Sequence, residues 1–254
     1  MSSRRWPGPD PNVALQRRRA RAMTPVPTAL VLAGGSWIGL HVGVAGTALR
    51  GVVARRTGEN GFRIVFSTLS VATIAFLVIS YRNARAQGSP TLWTTPHWLG
   101  WLLVLLMAPA FVLLVGSMTR PNPTAIGGEK LAGQEPRGLS RITRHPMLWS
   151  FATWSVVHVI GNGDLVSLLF FGTFGVTALL GMPSIDHKLA ARDPAAWRTL
   201  ASTTSILPFG AILAGRNRLV LREIGWIAPV VGLVLWVLLV LVHPWLFGVS
   251  PLPS

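Results

Sequence analysis

RHPMLWSFATWSVVHVIGNGD, residues 144–164, decides how the rest of the chain is read. Arg144 and His145 open it, and Pro146 follows as a favourable first helical residue. The run then stays apolar for about four turns, with His158 near its far end. Gly161, Asn162 and Gly163 supply the stop, and Asp164 can cap a following helix. No Lys, Arg, Asp or Glu lies between His145 and Asp164. An imidazole that deep in an apolar helix needs a partner.

The whole chain matches this stretch in character. Its 254 residues are 50% hydrophobic and only 12% charged, with a mean hydropathy of +0.50. That is the composition of an integral membrane protein. The net charge of +15 is not a nucleic-acid signal. The 23 Lys and Arg lie outside the apolar runs, as topology determinants and phospholipid contacts do, and no nucleic-acid-binding motif accompanies them. Membrane lipid is therefore the expected partner, and nucleic acid is not. The absence of cysteine excludes disulfides, thiolate ligands and iron–sulfur clusters.

Residues 1–27 read as a basic, disordered arm carrying Arg4, Arg5, Arg17, Arg18, Arg19 and Arg21. A start at Met23 is an alternative, and no small-residue cleavage site marks a removable signal peptide. Residues 28–254 form the transmembrane domain. Six apolar segments of about bilayer length fall at 28–49, 64–81, 98–118, 146–162, 165–183 and 224–247, none with a charged residue. The expected fold is all-α: a polytopic integral membrane protein with about six transmembrane helices in a bundle. The fourth and fifth segments should form a tight antiparallel hairpin. The connections after the first, third and fifth segments hold 15 basic residues, which places them in the cytoplasm of a bacterial inner membrane. The proline- and glycine-broken segment TSILPFGAILAGR, residues 204–216, reads as an interfacial helix or a lid.

Of six histidines, only His41 and His158 lie well inside the apolar segments. Counted from Pro146, His158 is about 18 Å deep, and counted back from Leu49, His41 is about 12 Å deep. The two would then face each other a few ångströms apart in height, the arrangement that bis-histidine ligation of a haem iron requires. The plain alternative is a pair of neutral imidazoles bonded to backbone carbonyls or hydroxyls. His145 cannot share His158's role, because thirteen residues place it about 220° around the helix and nearly 20 Å away. Either Arg144 and His145 pair with a nearby carboxylate, carbonyl or lipid phosphate, or they contact haem propionates or a second metal. Met147, Phe151 and Trp154 share His158's face. Gly34, Ala45 and Ala48 accompany His41, small residues that would let a planar ring approach, with Trp37 one turn before it.

Several chemistries are absent from the sequence. CxxCH is missing, so a haem would be held non-covalently. HExxH, the Walker lysine loop and GxSxG do not occur. All eight carboxylates lie outside the apolar segments, which argues against a proton relay within the membrane. Zinc is not expected, because two inner histidines lack a third ligand.

GLHVG around His41, RPNP, ITRHPMLW, WSVVHVIGNGDLVSLLFFG, GMPSIDHK, TSILPFGAILAGR and the closing HPWLFGVSPLP together resemble the NnrU family. That family includes bacterial NnrU proteins and the 15-cis-ζ-carotene isomerases, and the likeness runs from about residue 30 to the end. RHP alone also opens a motif of isoprenylcysteine-type methyltransferases, but no acidic motif like theirs follows. The resemblance implies a polytopic protein with non-covalent haem b, its axial ligands matching His41 and His158. The isomerases carry a cysteine at the position of Ser155, so a redox ligand switch of that kind is not expected here. The RPNP connection and the SPLP ending are closer to the bacterial branch associated with denitrification and the nitric oxide response. Three functions follow as expectations: a haem protein of nitrogen-oxide metabolism, a redox-gated cis–trans isomerase of a polyene lipid, and an assembly factor for a membrane oxidoreductase.

Overall fold

The computed structural model describes residues 27–47, 49–120, 122–124, 128, 131 and 133–253. Apart from Pro27, the basic arm lies outside these residues, as do Met23 and Ala48. Every expected apolar segment coincides with a helix. Among the described residues, four helices are long and apolar enough to cross a membrane: α2 (Leu49–Ala86), α3 (His97–Thr119), α6 (Leu165–Arg192) and α10 (Ile227–Phe247). The first, α1 (Thr28–Ile38), continues as a π-helical turn, Gly39–Val44, and together they make a shorter apolar helix. The remaining segment is α5 (Pro146–Asn162), whose 17 residues stand at the short limit of a span. It is the more polar one, with Ser150, Thr153, Ser155, His158 and Asn162. The chain is thus an all-α, polytopic membrane bundle. Short helices α4 (Leu139–Ile142), α7 (Pro194–Thr203), α8 (Gly210–Leu213) and α9 (Leu221–Ile224) punctuate its connections.

Helix α6 is the hub. It packs against α1, α2 and α5, while α3 packs on the far side of α5 and carries α10. The core is built from Leu30 and Ala33 of α1, Leu77 and Ala84 of α2, and Val166, Phe170 and Phe171 of α6. Apolar surface gains little by leaving lipid for protein, so close approach and interhelical hydrogen bonds must hold such helices together. Gly175 of α6 faces Ser155 of α5, and a Cβ added there would stand 2.5 Å from the Ser155 hydroxyl. That hydroxyl donates to the Phe171 carbonyl at 2.6 Å. Gly175→Val should force α5 and α6 apart and cost about 1–3 kcal/mol by overpacking. Gly172→Ala on the same helix meets open space and should be silent. Thermal unfolding in detergent distinguishes the two, and equal midpoints would refute the close contact.

The α5–α6 hairpin forms as its sequence indicates, with one sharpening. Helix α5 runs through Gly161 and Asn162 and ends only at Gly163, whose φ of 64° is left-handed. The Trp93 backbone also presses on Gly163 where a side chain would begin, so glycine is required there twice over. Asp164 caps α6 by accepting from the Ser167 N–H at 3.0 Å, and Arg85 of α2 holds its other oxygen at 2.8 Å. At the opposite end of the bundle the three basic connections meet. Lys188 donates to the Ala45 carbonyl, Arg144 reaches Asp186, and Arg141 reaches Asn217 and Glu223. The basic residues after the first, third and fifth apolar segments therefore share one face of the membrane.

Candidate functional site

His41 sits in the π-helical turn, a helix irregularity that often marks functional positions. Its Nδ1 bonds the Trp37 carbonyl at 3.0 Å, and its ring stacks on the Trp37 indole with centroids 3.8 Å apart. Nε2 is left facing Ser70 of α2 across 3.5 Å, at the outer limit of a hydrogen bond. His158 repeats the pattern on α5. Its Nδ1 bonds the Trp154 carbonyl at 2.8 Å, and its ring stacks on Phe171 at 4.7 Å. In each case the i−4 carbonyl fixes the tautomer and turns Nε2 into the available nitrogen, as metal-binding histidines require.

Phe174 of α6 ties the two together. Its ring centroid is 5.4 Å from Trp37 on one side and 5.4 Å from Trp154 on the other. Helices α1 and α5 run in opposite directions against α6, and each histidine lies four residues beyond its tryptophan. The two Cα atoms therefore stand on opposite sides of the Phe174 level, about 12 Å apart in height. This differs from the depths expected from sequence. The first helix closes at Val44, held by Lys188 and by Ser184, which donates to the Gly46 carbonyl. His41 is thus only about 5 Å from its helix end. Both side chains lean back toward Phe174, because each Nδ1 reaches a carbonyl one turn earlier.

The remaining expected site residues separate. Trp154 belongs to the aromatic cluster, touching His158, Phe171 and Phe174. Phe151, although on the same helix, is exposed and makes none of the cluster's ring contacts among the described residues. Arg144 and His145 are at the other end of α5 and are buried. The Arg144 guanidinium grips both oxygens of Asp186 at 2.6–3.0 Å, and His145 Nε2 bonds Asp186 Oδ1 at 2.8 Å. Arg144 also lies over the Trp197 ring, 5.2 Å from its centroid. Of the readings open to this pair, the structure takes the carboxylate partner. Sequence reasoning did not single out Phe171 or Phe174, whose importance depends on neighbouring helices, whereas Ser70 belongs to the polar set Ser67, Thr68, Ser70 and Thr73 that marks the second segment as facing other helices. The only hint was the i, i+3 spacing of two phenylalanines on α6.

TSILPFGAILAGR is strapped over the Arg144 turn rather than free. The Arg144 N–H donates to Ser205, the Phe209 N–H to Ile142, and the Trp149 indole to Ile206. Arg141 completes this end by bonding Glu223 through Nε at 2.7 Å and Glu135 through Nη2 at 2.8 Å. The Arg141 guanidinium, joined by the Gly138 N–H, pulls the Glu223 carboxyl down to about 2. A carboxyl lowered on folding lends stability that is complete above its ordinary value and is lost as pH falls toward about 2. Between about pH 4.5 and 2, the thermal midpoint of the wild type should fall more steeply than that of Glu223→Gln. Parallel curves would contradict the pairing.

The donor chemistry at His41 and His158 suits an axial haem pair. Trp37 Nε1 is buried beside His41 with no acceptor among the described residues, as is His145 Nδ1 at the other end of α5. As packed, the rings of Trp37, Phe174 and Trp154 fill the interval, so a shared iron requires those rings to move aside.

Residues 29–251 match the family described as NnrU protein. The chain belongs to the NnrU family. This NnrU protein is also similar to the chloroplastic 15-cis-zeta-carotene isomerase of Zea mays, with 28% identity over 187 residues, covering 71% of the chain and 49% of the relative. It is likewise 28% identical over 185 residues to that of Arabidopsis thaliana, covering 70% and 48%. The chain spans about half the length of the curated relatives it matches. No solved structure matches it.

Proposed function

We propose that this NnrU protein binds haem b non-covalently inside a bacterial inner membrane and acts in nitrogen-oxide metabolism or in the response to nitric oxide. The observation that carries this reading is the repeated geometry of His41 and His158. Each is an intramembrane imidazole oriented by its own i−4 carbonyl, stacked on an aromatic ring, with Nε2 available. A haem held there would supply an iron that, when ferrous and released by one of its two axial histidines, has a position open to nitric oxide. His41 and His158 would hold it from two helices, Trp154 and Phe171 would flank the second ligand, and the surrounding apolar helices would exclude water. Arg144 and His145 are committed to Asp186 and support the helix end instead.

A second reading rests on the activity for which the two plant relatives are named: cis–trans isomerisation of a carotenoid. Absorption spectra of the protein, purified in detergent after expression with ample haem, test both readings. A Soret band that shifts on adding nitric oxide to the reduced protein, with no conversion of cis-carotenes, is the expected result. Conversion of 15-cis-ζ-carotene would transfer the function to the second reading. A colourless protein would overturn both and leave the assembly-factor role.

A further inference from the structure

A cavity of about 330 Å³ lies at the basic end of the bundle, away from the two intramembrane histidines. Glu135, Arg141, Thr203, Arg216, Asn217 and Arg218 line it. Asn217 braces its wall, donating to the Thr203 carbonyl at 2.7 Å and accepting from Arg141 at 2.8 Å. The three arginines are in different states. Arg141 is buried, and Glu135 and Glu223 offset its charge. Arg216 donates through Nη1 to the Ala201, Ser202 and Thr204 carbonyls at the end of α7, which neutralise none of its charge. Among the described residues neither Arg216 nor Arg218 pairs with a carboxylate. Arg216 and Arg218 thus lack a paired carboxylate, and with the two carboxylates on Arg141 the cluster keeps a net positive charge.

The chain around it is the opposite in character. Leu207, Leu213, Leu219, Leu221 and Trp226 are strongly exposed, Leu213 to 85%. Leu213 precedes the cavity wall by two residues and Leu219 follows Arg218 directly. Unneutralised guanidinium groups beside exposed leucines, just before α10 enters the bilayer, match a phospholipid: an anionic head next to acyl chains. We propose that this cavity is a binding site for the phosphodiester headgroup of an anionic phospholipid. Arg216 and Arg218 hold the phosphate, and the chains lie along Leu213 and Leu219.

The test is titration of phosphatidylglycerol or phosphatidylcholine into the detergent-purified full chain, read by retention in native mass spectrometry and by the thermal midpoint. Phosphatidylglycerol should bind preferentially. Arg218→Gln should weaken it about fivefold, the worth of one cation near a lipid surface, while Arg218→Lys retains most of the binding. Arg216→Gln also removes the cap on α7 and risks misfolding, so Arg218 carries the test. Arg55→Gln, an exposed cation elsewhere on the same face, should have no effect. Equal binding of the two lipids, or an Arg55→Gln loss as large as that of Arg218→Gln, would overturn the site in favour of diffuse surface attraction. Millimolar inorganic phosphate raising the midpoint as much as phosphatidylglycerol would overturn the lipid assignment. None of these readouts depends on haem.

Discussion

Asp186→Ala should destabilise the protein by about 3–5 kcal/mol, the cost of stranding a buried charge. The Asp186 and Arg144 side chains are only 9% and 10% exposed, and His145 is fully enclosed. Three nitrogen donors converge on this one carboxylate, and removing it leaves a largely buried guanidinium without its counter-charge. The damage would spread, because the Arg144 backbone also anchors the strap at Ser205 and accepts from the Thr124 hydroxyl. Low yield, a lower thermal midpoint and faster proteolysis of the 119–145 connection are the expected readouts. Asp186→Asn keeps the shape without the charge and should fall between the two. The double variant Arg144→Met/Asp186→Leu should recover part of the loss, since an apolar pair of similar volume replaces a buried ion pair at little cost. A wild-type midpoint for Asp186→Ala would show that the pair is solvated and not holding the two connections together.

His158→Ala and His41→Ala should each remove most of the bound haem or change its spectrum, whereas His187→Ala should not. His187 is exposed on α6 and outside the aromatic cluster. His145→Ala is the informative contrast. It removes a buried bond to Asp186 and should cost about 1–3 kcal/mol of stability, yet leave the haem absorbance per folded molecule unchanged. Loss of haem from His145→Ala alone, in protein that is still folded, would move the ligand to the other end of α5. An unchanged spectrum in His41→Ala would mean that the histidine of the π-helical turn is no ligand. The variants therefore test the pairing, and not merely the presence of haem.

Much of the architecture was legible in the chain because it rests on local rules. Pro146, Gly163 and Asp164 fix the start of one helix, its end and the start of the next, through backbone groups within one turn. The six apolar segments report helices for the same reason, since each helix satisfies its own backbone in lipid. The common face of the basic connections follows from counting crossings. The candidate site was less legible. His41 and His158 stand out as ionisable groups in apolar runs, but their relative height depends on where the first helix ends. That end is set by Ser184 and Lys188, which come more than a hundred residues later.

By itself, then, the sequence determined a polytopic helical membrane protein of the NnrU type, its hairpin, and the two intramembrane histidines. Tertiary structure alone decided three things. Asp186 claims Arg144 and His145 together across some forty residues. Phe174 stands between the two tryptophans and sets the histidines about 12 Å apart in height. The 204–216 segment becomes a fixed strap beside an arginine-lined cavity. The physical reason is the range of the forces involved. Capping and helix hydrogen bonds act over about four residues, within reach of a sequence pattern. Ion pairs and ring contacts between helices depend on lateral order and axial offset, which only the assembled bundle defines.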